Sequence, residues 1–211
     1  MKKMFYLAAN GMAAFMDAAV GSLIAVLIAL LLGHPLSWWE PFAIGAIFGL
    51  LPDFDILVPI IWTGITGHKL KHQHHESVMH WPLVVLPAAT VVVWYFFGEY
   101  WGVAAFFCIA MHYIHDMVMM GYDGPGWFVR LHRTYWARRG AVEPADSDHK
   151  HWIAVNWLRP SLLSVREIAI GDIALSMSIA LVTGNPVLGI TAYLVLLICA
   201  CIFWWLVALN T

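Results

Sequence analysis

Residues 187–209 read VLGITAYLVLLICACIFWWLVAL, without one charged side chain, directly after the turn signal Gly184-Asn185-Pro186. About 20 consecutive apolar residues suffice for a helix to cross a hydrocarbon core. Working outward, comparable apolar stretches fall at 5–32, 41–64, 80–98, 101–120 and 163–183. Between them lie Gly33-His34-Pro35, a His-rich stretch at 67–80, Gly98-Glu99 and a long polar segment at 121–162. Gly, Pro and Asn in these positions are chain-reversal signals. The whole chain agrees, at 62% hydrophobic and 11% charged with a mean hydropathy of +0.76 and 12 Trp. Soluble chains run near roughly 45–50% apolar and 25% charged. Disorder, a disulfide scaffold, a coiled coil and a nucleic-acid-binding domain are disfavoured on that composition. The expectation is an all-α polytopic membrane protein of about six transmembrane helices, one domain over residues 1–211.

Charge sets the orientation. Lys2 and Lys3 precede the first span, and Lys69 and Lys71 lie between spans two and three. Arg130, Arg133, Arg138, Arg139, Lys150 and Arg159 lie between spans four and five, and Arg166 opens span five. With six spans all 11 positive residues fall on one side, which the positive-inside rule makes cytoplasmic. Both termini are then cytoplasmic, the segment 121–162 is a cytoplasmic polar and basic element, and the membrane is of the bacterial inner (plasma) type. Met1-Lys2-Lys3 imitates a secretory signal, but the run behind it continues to Leu32 and carries Asn10 and Asp17. That is longer than a signal's apolar region and reads as a retained first span. Cys108, Cys199 and Cys201 sit in apolar runs with no ligand spacing and read as small buried hydrophobes.

Charged and imidazole side chains inside spans are costly and usually mark a site or an ion path. Span two contains Leu51-Pro52-Asp53-Phe54-Asp55, where proline weakens the helix and an irregular turn can present both carboxylates. Span four ends in His112-Tyr113-Ile114-His115-Asp116, whose spacing puts His112 and Asp116 on one helical face. Between them come His68, His72, His74, His75, Glu76 and His80, with His75 and His80 where span three begins. At about 1.5 Å per residue, Asp116, His112 and Asp53 lie roughly 6, 12 and 15 Å inside the cytoplasmic ends of their spans. Asp17 and Asp172 come out at about 18 and 14 Å. One polar centre opening inward accounts for all of them. Imidazoles and carboxylates without thiolates suit Zn²⁺, Mn²⁺ or Fe²⁺. His34 and His132 read as packing residues, and Asp146, Asp148, His149 and His151 as a solvated charge run.

The order of these motifs resembles the YdjM-like family of membrane-bound proteins assigned as metal-dependent hydrolases. The family's LPDxD motif matches Leu51 to Asp55 directly. Its HRGxTHS motif is met in spacing by His75 and His80, with Glu76-Ser77 in place of Arg-Gly. Its HxxxDxxTxxG motif corresponds to His112 and Asp116, with Met119 in place of Thr. The family's His near the start of span one is replaced here by Asn10 and Asp17. The likeness covers about residues 5 to 128.

The resemblance implies a hydrolase in which Asp53, Asp55, His75, His80, His112 and Asp116 hold one or two divalent transition-metal ions, Zn²⁺ or Mn²⁺. Asn10, Asp17 and Asp172 are additional ligands or partners of ligand imidazoles. His72, His115 and Glu76 adjoin ligand positions and are the candidates for proton transfer. Water acidified by the metal would attack an ester or phosphoester, and Arg130 and Arg133 would hold the phosphate. A site some 10 Å below the headgroups favours a membrane lipid or another amphiphile. The second reading is an ion-path or transport protein that relays a metal ion or proton through the same residues. The third is an assembly protein with a structural metal.

Overall fold

A computed structural model describes residues 2–56, 65, 78–120 and 159–209, with side chains for 12–55, 65, 78–115 and 167–202. The described residues are all-α, without strands. The helices are α1 (Lys2–Leu32), α2 (Glu40–Gly49), α3 (Pro82–Phe97), α4 (Glu99–Met120), α5 (Arg159–Thr183) and α6 (Pro186–Leu209). Two short 3-10 turns, Leu51–Ile56 and Val78–His80, complete the set. Helix ends fall close to the apolar stretches of the sequence, except in the second. There the helix stops at Gly49 and gives way to the 51–56 turn, in which Asp53 N–H donates to Leu50 O at 3.0 Å. Pro52, which has no N–H to donate, favours that ending. Of the residues with described side chains, Met12–Leu32 forms a helix long and apolar enough to cross a membrane. Glu40–Gly49, Pro82–Phe97 and Pro186–Ile202 are shorter apolar helices.

α1 is the centre, packing against α2, α4 and α5, while α3 pairs with α4 and α6 with α5. Small residues permit this. A Cβ on Gly45 would stand 2.3 Å from Ser22 N and 2.4 Å from Ala18 O, and one on Gly49 would stand 2.6 Å from Asp17 O. α1 and α2 therefore touch backbone to backbone, in the manner of small-residue interfaces between apolar helices. α4 closes the third side, where the Cys108 thiol donates to Gly21 O at 3.3 Å. Ala25, Ala29, Ile44, Phe48, Ala104, Ala105 and Ile109 fill the layers beyond. Cys199 and Cys201, expected to be buried, are exposed on α6.

At the end of α1, Gly33 takes φ +64°, His34 N–H donates to Ala29 O at 2.8 Å and Gly33 N–H to Leu30 O at 3.3 Å. This is a Schellman ending, for which glycine carries no Cβ penalty. It delivers His34 onto Tyr100, the rings 4.1 Å apart, so His34 packs as expected. Glu40 accepts from Ser37 Oγ at 2.6 Å and from Trp101 Nε1 at 3.4 Å, tying the start of α2 to α4. The Ser37 hydrogen bond is the main cause that holds the Glu40 carboxyl below its ordinary range. Much of the outer surface is apolar: Leu83, Val91, Tyr95 and Phe96 on α3, and Val187, Ile190 and Ile198 on α6, are exposed.

Candidate metal centre

Three elements bring one side chain each to a common point. The 51–56 turn supplies Asp53, the 78–80 turn supplies His80, and α4 supplies His112; one ligand atom from each lies within 4.8 Å of the others. Asp53 Oδ1 is 3.3 Å from His112 Nε2 and 3.7 Å from His80 Nε2. Ligands about 2.0–2.1 Å from one tetrahedral ion stand roughly 3.3 Å apart, so the spacing is of the right size. His80 is set in place from behind, because Tyr113 Oη on α4 donates to Met79 O at 2.6 Å. Both imidazoles are buried while the Asp53 side chain is 30% exposed, so the site is reached from the Asp53 side.

The orientation of His112 is fixed by its other nitrogen. Nδ1 lies 2.8 Å from Gly49 O and 3.0 Å from Asp17 Oδ2. A carbonyl oxygen only accepts, so Nδ1 carries the proton. In the neutral ring Nε2 then presents its lone pair to Asp53 Oδ1. Two lone pairs facing each other at that distance repel unless a proton or a metal ion is shared between them. Imidazoles that ligate metals commonly donate their other N–H to a carbonyl or carboxylate, which is the arrangement here. The donor set of two imidazoles and one carboxylate is one that a divalent transition ion accepts.

Asp17 extends the polar centre into α1. Its second oxygen, Oδ1, is 2.8 Å from His115 Nδ1, and His115 Nε2 faces Glu167 Oε1 on α5 at 4.0 Å. Asp17, Glu167 and Asp172 are 2%, 3% and 2% exposed, so three carboxylates are withdrawn from water around α1 and α5.

Of the residues expected at the site, Asp53, His80 and His112 converge. Asp17 acts behind them on the His112 ring. His115, expected to transfer protons, is held by Asp17 one turn of α4 further on. Asp55 is buried in the same turn as Asp53 but stands outside the converging group, and Asp172 is buried on α5. His72, His75, Glu76, Arg130 and Arg133, and the stretch 121–158, lie outside the described residues; for Asn10 and Asp116 only the helical backbone is described. Glu167 is the participant that sequence reasoning passed over. It stands beside Arg166, near the start of an apolar run. Its signal was the four-residue spacing to Gly171, which puts a carboxylate on the face of α5 that packs against Phe15 and Met16 of α1. Comparison of the chain with protein-family profiles, with curated proteins and with solved structures finds no match.

Proposed function

We propose that the chain is a membrane-embedded metal-dependent hydrolase with a cytoplasm-facing site, acting on an ester or phosphoester of a lipid-like substrate. The observation that carries the reading is the convergence of Asp53, His80 and His112, with the His112 ring held by Gly49 O and Asp17. The motif order shared with the YdjM-like family supports it. The six-span arrangement, with both termini cytoplasmic, is part of the proposal. It is supported by the charge distribution and by the exposed apolar side chains of α3 and α6, which in water would be an aggregation liability.

A divalent ion at such a site supplies Lewis acidity, polarising the scissile group and bringing the pKa of water towards neutrality. The protein's part is arrangement. Gly49 O and Asp17 hold His112 in one tautomer, and the Tyr113 bond to Met79 O sets His80. Asp53, the exposed member, faces the incoming substrate. His72 and Glu76 remain the candidates for proton transfer to the leaving group, and Arg130 and Arg133 for phosphate recognition.

Detergent-solubilised protein should cleave phosphate esters, lose activity to a chelator and regain it with Mn²⁺ or Zn²⁺. Substrates with an acyl chain should be cleaved faster than short soluble ones. His112→Ala should remove both the metal and the activity. If a metal-loaded preparation cleaves no ester of either kind, the reading fails. The buried line from Asp17 through His115 to Glu167 favours one other reading, an ion path. It takes over if that preparation moves Zn²⁺ or protons across liposomes.

A further inference from the structure

α4 presents the same construction twice. At His112, Nδ1–H is directed to Asp17 Oδ2 and Gly49 O while Nε2 faces the Asp53 carboxylate at 3.3 Å. At His115, three residues on, Nδ1–H is directed to Asp17 Oδ1 at 2.8 Å while Nε2 faces the Glu167 carboxylate at 4.0 Å. One buried carboxylate thus orients two imidazoles, each with its far nitrogen turned towards another carboxylate. The Nε2–Oε1 distance is too long for a hydrogen bond. The other oxygen of Glu167, Oε2, is buried with no hydrogen-bond partner among the described residues. A carboxylate 3% exposed and so poorly satisfied is costly unless it takes up a proton or a cation accompanies it.

We propose that His115 and Glu167 hold a second divalent ion, with Asp17 as the carboxylate that positions the ligand imidazoles of both ions. The inference rests on the metal reading of the Asp53–His80–His112 site and adds to it a residue, Glu167, and a nuclearity. The site offers one imidazole and one carboxylate, a donor pair suited to Mn²⁺ or Zn²⁺. The side chains of His115 and Glu167 are 9% and 4% exposed, so an ion between them would be shielded from bulk water. A second cation near the first site favours an anionic phosphate ester over a neutral carboxylic ester as the substrate class.

The test is Mn²⁺ stoichiometry in the full-length, detergent-purified protein, read by element analysis after equilibrium dialysis and by frozen-solution EPR. The wild type should hold two Mn²⁺ per chain with a spin-coupled signal. Glu167→Gln, which keeps the shape of the side chain, should hold one, with the signal of an isolated ion. His115→Gln should do the same and serves if Glu167→Gln does not fold. Adding inorganic phosphate should tighten binding of the second ion in the wild type and have no such effect in Glu167→Gln. One ion in the wild type, or two in both variants, overturns the second site and leaves the first standing. No ion in the wild type overturns the metal reading and this inference together.

Discussion

Asp17 is 2% exposed; its Oδ1 accepts from His115 Nδ1–H at 2.8 Å, and its Oδ2 stands 3.0 Å from His112 Nδ1, whose proton goes to Gly49 O. Asparagine at that position keeps the shape but removes the charge and leaves a single acceptor oxygen, so one imidazole loses its carboxylate contact, His112 keeping Gly49 O. Partners of ligand histidines typically contribute about 10–100-fold in metal affinity. Asp17→Asn should therefore weaken metal binding by roughly that factor while the protein stays folded, as measured by competition with a chromogenic chelator. Affinity equal to the wild type would remove Asp17 from its orienting role. At this scale the sequence was informative wherever a charge interrupted an apolar run, as at Asp17, Asp53 and His112. Residues two apart in a 3-10 turn point about 240° apart, so Asp55 leaves the turn in a different direction from Asp53. That geometry became evident only once the local helix type was known.

Each of three helices contributes a pair of residues four apart: Asp17 and Gly21 on α1, Gly45 and Gly49 on α2, Cys108 and His112 on α4. Gly21, Gly45 and Cys108 form one close layer; Asp17, Gly49 and His112 form the polar layer one turn away. The glycines set how near Asp17 and His112 approach, so packing and site geometry should fail together. Gly45→Ala forces a methyl against Ser22 N and Ala18 O, backbone atoms that cannot rotate away. Overpacking of this kind costs roughly 1–3 kcal/mol. A thermal melt should show a lowered Tm for Gly45→Ala, with reduced metal content in the same preparation. An unshifted melt would mean that the helices do not cross at that separation. Among the described residues, the apolar stretches announced five of the six helices almost to their ends. The shortness of α2 was set by the turn after Gly49, where one proline gave a warning without a position.

Across the whole molecule, the positive residues sit at sequence positions that six membrane crossings collect on one side. Cysteines placed at Lys69 and Arg138 should then react with an impermeant thiol reagent only from the cytoplasmic side, and one at Ser37 only from outside. Reaction of positions 37 and 69 from the same side would dismiss the arrangement. Such an arrangement also has an electrical side. Ala25, Ala29 and Ile44 are wholly buried, and with the glycine layer they make a close-packed apolar stretch between the site and the outer half of the helices. A transmembrane voltage would drop across this dry layer and not along the approach to Asp53. A proton or cation arriving from the cytoplasm would then meet little of the roughly 2.3 kcal/mol per charge that 100 mV imposes. The resting potential of the cell would neither draw ions into the centre nor hold them out of it.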